Sequence, residues 1–219
     1  MLRAVVVVVA VGLAVLAPLG AQAGPASLTL VVKVYNAVGM GAPEMARARE
    51  MTRSIFGRAG IDAVWRDCEA IVRADSSSTI CAHPRAPEEV VVRIVAKPAG
   101  SATVADVLGF SNVAGPETAT SLATVLADRV ELAAVRTQSE SGKLLGRVIA
   151  HEVGHLLLAT NWHANAGLMR AAWRDDEISR DRPADWVFSG AEARQLRLAV
   201  ATRSKRPDDP LMNQARATR

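Results

Sequence analysis

The sequence is poor in cysteine, histidine and aromatic residues. Its 219 residues include two Cys, four His and one Tyr, and 4% are aromatic. Two Cys exclude a disulfide-dense miniprotein and a zinc ribbon, which requires paired CxxC ligands. An excess of one charge is also lacking, because 26 Lys and Arg stand against 22 Asp and Glu. Since no basic stripe is interleaved with aromatic residues, we expect no nucleic-acid partner.

The rest of the composition is that of a globular protein. Half of the residues are hydrophobic and 22% are charged, which excludes a disordered chain. The length is sufficient for one domain with a substantial core. We expect this single domain at 24–203, followed by a flexible polar tail at 204–219.

The N-terminus has the pattern of a signal peptide. A positive residue, Arg3, precedes an apolar run at 4–19, and Ala21-Gln22-Ala23 follows as a small-residue cleavage motif. We therefore predict a signal peptide at 1–23 that is cleaved near Ala23, which makes the protein secreted or periplasmic. An uncleaved membrane anchor is the alternative, although the run is short for a spanning helix. We expect no stable membrane anchor.

The order of strands and helices predicts an α+β fold, with a sheet packed on helices. β-Branched and apolar runs predict strands at 28–35, 61–66, 89–97, 107–113 and 119–127. Helical spacing of apolar residues predicts helices at 43–59, 128–135, 141–159 and from 190 onward. The expected end signals are Gly60 after the first helix, Asp128 as cap of the second, Ser139 or Ser141 as cap of the third, and a Ser189–Glu192 capping box on the last.

The two cysteines flank a polar segment between the second and third predicted strands. Cys68 and Cys81 stand 13 positions apart. In an oxidising compartment we predict that they form a disulfide. A metal site built from Cys81 and His83 is the alternative, but no second pair of ligands accompanies these two residues.

A His-Glu-Val-Gly-His motif at 151–155 is the strongest chemical signal in the chain. Residues four apart lie on nearly the same face of a helix, so His151 and His155 can point to one metal ion. Glu152 lies about 100° further around the helix, beside the metal. Its carboxylate can there accept a proton from a metal-activated water molecule. The motif predicts a metal-dependent hydrolase.

A third histidine and a methionine follow this motif. His163 comes after the expected helix end, and Gly167-Leu168-Met169 comes shortly after His163. With these residues the segment 148–170 resembles the zinc-binding segment and Met-turn of the metzincin clan of zinc metallopeptidases. It also resembles small, secreted, largely uncharacterised bacterial HExxH proteins.

The resemblance implies a zincin fold, in which a mixed twisted sheet packs on helices that include an HExxH active-site helix. It implies that His151, His155 and His163 bind Zn²⁺, that Glu152 is the general base and that Met169 forms an apolar floor below the metal. Metzincins place the third His ten residues after the first, whereas here the spacing is twelve.

The longer spacing leaves the third ligand and the turn open. Carboxylates further along the chain could replace His163 and give a thermolysin-like ligand set. The rival third ligands are Glu177, Glu192, Asp175 and Asp176. At the turn itself we expect Asn161 to adopt the left-handed conformation that glycine provides in the family, because Asn tolerates positive φ.

The leading functional hypothesis is a secreted zinc metallopeptidase that acts on a peptide or protein substrate. We expect no N-terminal prodomain, because few residues separate the cleavage site from the first strand. One alternative is a zinc-binding protein of zincin fold without proteolytic activity, and another is a metal-dependent hydrolase of a non-peptide amide. Glu152 favours an enzyme, since a structural zinc site needs no carboxylate beside its ligands.

Overall fold

A computed structural model describes residues 28–68, 81, 89–96, 107–113 and 122–205 of the chain. The predicted signal peptide, His83 and residues 206–219 of the predicted tail lie outside the described residues. The final helix extends through Ser204, so the helix includes the first residue assigned to the tail. Within the described ranges, no helix has both the length and the apolar character needed to cross a membrane.

A five-stranded mixed sheet forms the centre of the fold. Its strands are β1 (Leu28–Asn36), β2 (Ile61–Cys68), β3 (Glu89–Val95), β4 (Gly109–Ser111) and β5 (Leu122–Leu126). The spatial order is β2-β1-β3-β5-β4. The first four strands in this order are parallel, and β4 is antiparallel to β5 at one edge. The predicted α+β architecture with a mixed sheet is confirmed.

In the described residues, five α-helices accompany the sheet. They are α1 (Ala42–Arg58), α2 (Ala127–Thr137), α3 (Ser141–Leu158), α4 (Asp175–Arg180) and α5 (Gly190–Ser204). Gly60 follows α1 with a φ of +79°, and the capping box of Ser189 and Glu192 opens α5, as predicted. The short helix α4 and a 3₁₀ turn at Pro183–Trp186 were not predicted, because each is too short to show helical periodicity.

The predicted starts of α2 and α3 are wrong by one or two residues. Leu126, not Asp128, is the N-cap of α2, because β5 runs directly into the helix and the Leu126 amide is bonded to the Leu108 carbonyl. Glu140 is the N-cap of α3, so neither Ser139 nor Ser141 occupies that position. In both cases the backbone path from the preceding element determines where the helix begins, and no side-chain cap is formed.

Helix α3 lies at the centre of the helical layer and is buried on nearly all sides. Two glycines allow it to approach α1 closely. A Cβ atom on Gly142 would lie 2.6 Å from the Glu44 carbonyl oxygen, and one on Gly146 would lie 2.6 Å from the Ala48 carbonyl oxygen. This close packing sets the position of the helix that carries residues 151–155.

The predicted disulfide is present between Cys68 and Cys81. Cys68 is the last residue of β2, which is the edge strand on the side opposite β4. The Tyr35 hydroxyl donates a hydrogen bond to the Cys81 carbonyl at 3.3 Å. The disulfide therefore stabilises the β2 edge of the sheet, which is the edge opposite β4.

Candidate metal centre

The histidine motif lies in the second half of α3. His151, Glu152 and His155 are all buried, with exposed fractions of 8%, 5% and 5%. Buried polar side chains require hydrogen-bond or metal partners. The partners of these three residues therefore define the chemistry of the site.

Backbone carbonyls determine the protonated nitrogen of two histidines. The Nδ1 atom of His151 lies 2.9 Å from the Leu168 carbonyl oxygen, and the Nδ1 atom of His155 lies 2.7 Å from the Thr160 carbonyl oxygen. Because a carbonyl oxygen can only accept, each Nδ1 carries the proton. In the neutral rings, both Nε2 atoms then present lone pairs, which is the arrangement found in histidine metal ligands.

His163 joins these two residues. Its Nε2 atom lies 3.2 Å from Nε2 of His155, which lies 3.0 Å from Nε2 of His151. The ligand atoms of the three residues lie within 4.8 Å of one another. Because the Nδ1 atoms of His151 and His155 donate to carbonyl oxygens, their Nε2 atoms face one another with lone pairs. These lone pairs repel one another unless a cation lies between them. Three imidazoles are the protein ligand set of several catalytic zinc sites, so these residues fit Zn²⁺.

The charge states of the histidines suit this role. Burial lowers the pKa of His151 to about 4 against a favourable hydrogen bond to the Leu168 carbonyl, and repulsion from His155 and His163, when these are protonated, acts in the same direction as burial. Burial also lowers the pKa values of His155 and His163. The three rings are therefore neutral at pH 7, and neutral imidazole is the form that binds a metal.

A turn after α3 returns the chain to the site. Ala159 takes the left-handed conformation at the helix end, with a φ of +50°, so the expectation for Asn161 is wrong. The helix ends at Leu158, and the Ala159 amide makes the last helical bond, to the His155 carbonyl. The positive φ of Ala159 then turns the chain so that the Thr160 amide also donates to the His155 carbonyl, at 3.3 Å. Relative to the metzincin spacing, one of the two additional residues lies before the left-handed residue and one lies between it and His163.

Met169 packs against α3 beside the histidines. Its exposed fraction is 1%, and a Cβ atom on Gly154 would lie 2.8 Å from the Met169 sulfur. The amide of Ala164 donates to the Met169 carbonyl at 2.8 Å, which closes the loop that carries His163. Met169 therefore provides apolar packing next to the histidine cluster and also helps to hold the third histidine.

The rival carboxylates have other partners. Glu177 pairs with Arg170, Asp175 with Arg136, Asp176 with Arg174 and Arg180, and Glu192 with the Ser189 amide. Among the described residues, the group that could hold a metal consists of the three histidines alone. The structure thus brings His163 to the site and leaves the four carboxylates outside it.

Two residues that the sequence analysis did not identify contact the site. The Trp173 indole N–H donates to the Leu168 carbonyl at 3.2 Å, and its ring meets His151 edge-on at 5.5 Å between centroids. The Ser111 hydroxyl lies 2.8 Å from Oε2 of Glu152 and 2.7 Å from the Glu152 carbonyl oxygen. No local motif marks either residue, because Trp173 stands 22 positions from His151 and Ser111 stands 41 positions from Glu152.

Glu152 lies next to the histidines but is not part of the cluster. Burial raises the pKa of its carboxyl to about 7, although the hydrogen bond from Ser111 opposes this shift. A carboxyl whose pKa is near neutrality is suited to both accept and donate a proton. Glu152 is therefore suited to exchange a proton with a molecule bound beside the histidines.

The site opens into a cleft of about 900 Å³. One wall is α2, whose cleft-facing residues follow the helical spacing i, i+3, i+4, i+7. These residues are Arg129, Leu132, Ala133 and Arg136. Strand β4 also lines the cleft, as do His151, Glu152, His155 and His163. The cleft can therefore bring an extended, partly apolar ligand to the histidines and Glu152.

No protein-family model and no curated protein matches the chain. Its fold is similar to the crystal structure of archaemetzincin from Methanopyrus kandleri, with a TM-score of 0.54 and 12% identity over 82% of this chain and 99% of that chain. A zinc-dependent peptidase from Methanocorpusculum labreanum matches with a TM-score of 0.49 and 15% identity, over 75% of this chain and 99% of that one. The chain has a zinc-metallopeptidase-like fold of the archaemetzincin type.

Proposed function

We propose that this protein is an exported zinc-dependent peptidase, with His151, His155 and His163 as zinc ligands and Glu152 as the general base. The observation that carries the proposal is the convergence of three histidine Nε2 atoms beside a buried carboxylate in an open cleft. The archaemetzincin-like fold supports this function. Bound zinc would supply Lewis acidity, which makes water more acidic and polarises a substrate carbonyl.

The residues of the chain would do the remaining work. Glu152 accepts a proton from the attacking water and later returns it to the leaving amine. The Leu168 and Thr160 carbonyls keep His151 and His155 in the ligating tautomer. Trp173 shares the Leu168 carbonyl and packs against His151, which limits the rotation of that ring.

The proposed substrate is a peptide or protein segment. Strand β4 lies at the edge of the sheet and lines the cleft. An edge strand can pair with an extended peptide through main-chain hydrogen bonds. Leu132 is an exposed large apolar side chain that lines the cleft, so we expect substrates with an apolar side chain near the scissile bond.

Export rests on residues 1–23 of the sequence. Mass spectrometry of the protein from the native host is expected to find Gly24 as the mature N-terminus. Recovery of the full-length chain from the membrane fraction would instead support an uncleaved anchor.

The metal part of the proposal is tested by zinc content. Purified wild type is expected to contain one zinc per chain, and His155→Ala is expected to lose most of it, because two ligands hold zinc far less tightly than three. His163→Ala tests the third ligand in the same way. Absence of stoichiometric zinc from wild type would refute the whole proposal, whereas full zinc retention in His163→Ala would refute the three-histidine site alone.

The catalytic part is tested with a peptide library. Glu152→Gln is expected to retain zinc and lower kcat by at least about 100-fold, the contribution of a general base. Glu131→Gln on the exposed surface of α2 is the matched control and should match wild type. If Glu152→Gln cleaves as fast as wild type, the mechanism is wrong. Zinc binding without cleavage of any peptide would support the non-proteolytic alternative or a non-peptide amide substrate.

A further inference from the structure

The inward face of β4 is shaped around the Glu152 side chain. Alternate residues of a strand share one face, and Gly109 and Ser111 both contact Glu152. The Ser111 hydroxyl reaches Oε2 and the carbonyl oxygen of this residue. A Cβ atom on Gly109 would lie 3.1 Å from both Cγ and Oε1 of Glu152, and 2.9 Å from the Thr124 carbonyl oxygen. Gly109 thus leaves the space that the carboxylate occupies.

The two carboxylate oxygens of Glu152 have different surroundings. Oε2 is held by Ser111 at 2.8 Å. Oε1 passes over Gly109 and, within the described part of the chain, has no hydrogen-bond partner. Because Glu152 lines the cleft, Oε1 is the oxygen that remains for a substrate or water molecule.

The Ser111 hydroxyl also connects the carboxylate to its own backbone. The carbonyl oxygen and Oε2 of Glu152 both lie within hydrogen-bond distance of the same hydroxyl. A glutamate side chain has three rotatable torsions, and a reacting group must be held near its productive geometry to be effective. By bridging both ends of Glu152, Ser111 restricts all three torsions at once.

We propose that Ser111 is the positioning residue of the general base, and that Gly109 is required beside it to admit the carboxylate. This inference rests on the proposed peptidase function. Ser111 is not part of the histidine group, and its role here is exerted through Glu152. Strand β4 would then act in two ways. Its main chain can pair with a peptide, and its residues Gly109 and Ser111 position Glu152.

The test compares steady-state kinetics of zinc-loaded variants. Ser111→Ala is expected to lower kcat by about 10-fold or more, a part of the general-base contribution, with KM within about twofold of wild type and full zinc content. Ser111→Thr keeps the hydroxyl and is expected to restore most of kcat. Ser179→Ala is the matched control, because it also removes a hydroxyl that donates to a backbone carbonyl, that of Thr137. It should leave kcat unchanged.

A crystal structure of zinc-loaded Ser111→Ala gives a readout that does not depend on activity. We expect the Glu152 carboxylate to leave its wild-type position or to occupy several rotamers, while the three histidines stay in place. If Ser111→Ala does not fold, Ser111→Cys, which has a similar shape and a weak donor, takes its place. Gly109→Ala is expected to displace the carboxylate even though Ser111 is present.

The possible outcomes separate this inference from the proposed function. An unchanged kcat in Ser111→Ala, or a loss that appears only in KM or in zinc content, would overturn the positioning role. An unmoved Glu152 carboxylate in the crystal would overturn it as well. If wild type cleaves no peptide, the proposed function fails, and the crystal structure still decides whether Ser111 holds Glu152.

Discussion

At the scale of single residues, the site depends on the hydrogen bonds that orient each histidine ring. The histidines offer Nε2 to a common point because backbone carbonyls bind their Nδ1 atoms. Outer partners of this kind fix the tautomer and the ring orientation of metal-binding histidines. The supporting contacts are therefore as specific as the ligands themselves.

A buried arginine packs beside the same region. The Arg147 side chain is 3% exposed, its guanidinium lies 4.0 Å from the centroid of the Trp186 ring, and it pairs with Asp181. The Trp186 ring in turn meets Trp173 at 5.1 Å. This stack connects Arg147 through two tryptophans to His151.

Asp181→Asn is the prediction at this scale. The change leaves the buried Arg147 without its counter-charge and is expected to lower the free energy of unfolding by about 1–2 kcal/mol at pH 7; the value is modest because the Asp181 side chain is 40% exposed and solvent screens the pair. Asparagine tolerates the left-handed conformation of residue 181. Urea unfolding of both proteins measures the difference.

The difference between the two proteins should depend on pH. Burial would raise the pKa of Asp181, but the hydrogen bonds and charges of Arg147 and Lys143 lower it below the usual value. A carboxyl with a lowered pKa stabilises the folded state above the unfolded pKa of about 4, and the contribution is lost as the pH falls through the folded pKa. We expect the two unfolding free energies to converge below pH 4; a constant difference would contradict the ion pair.

At the scale of elements, the contact between α1 and α3 positions the helix that carries His151 and His155. Gly146 lies where a Cβ atom would meet the Ala48 carbonyl oxygen at 2.6 Å and Met51 Cβ at 2.7 Å. The Thr52 hydroxyl donates to the Gly146 carbonyl at 3.2 Å. Since backbone atoms form this contact, the two helices cannot adapt to a larger residue without moving apart.

Gly146→Ala is the prediction at this scale. Alanine would raise helix propensity by up to about 1 kcal/mol, but overpacking against α1 costs about 1–3 kcal/mol, so the steric cost prevails and the protein is destabilised. Gly57→Ala in α1 is the matched control, because nothing lies within 4 Å of its added Cβ atom. It should be neutral or slightly stabilising in urea unfolding. Equal effects of both changes would contradict the close packing.

At the scale of the whole molecule, the strand order separates the stabilising disulfide from the chemistry. Cys68 ends β2 at one edge of the sheet, while β4 with Ser111 forms the other edge. Three strands lie between these edges. We therefore expect that the stability of the fold can be altered without changing the candidate site.

The double variant Cys68→Ala, Cys81→Ala tests this separation. Loss of a disulfide that joins residues 13 apart is expected to lower the free energy of unfolding by about 3 kcal/mol, chiefly because the unfolded chain gains freedom. Zinc content and kcat at a temperature well below Tm should equal those of wild type. Wild type in reducing buffer is the control and should have the stability of the variant; loss of zinc from the folded variant would contradict the separation.

Much of the fold follows from local patterns. The buried face of α1 consists of the residues that helical spacing selects, and the capping box of Ser189 and Glu192 opens α5 as its pattern predicts. Local rules were insufficient where a neighbouring element determines the backbone path. Leu126 is the N-cap of α2 because it is also the last residue of β5 and its amide is bonded to the Leu108 carbonyl. Ala159 adopts the left-handed conformation because α3 ends at Leu158, the residue before it.

The sequence by itself determined the parts of the site that are close along the chain. His151, Glu152 and His155 share a helix, and the period of a helix decides which side chains share a face. Only the tertiary structure decided that His163 rather than a later carboxylate joins them, that Trp173 packs behind His151, and that Ser111 reaches Glu152 from 41 positions away. Such contacts depend on how β4, α3 and the following loop pack together, and no local period encodes that packing.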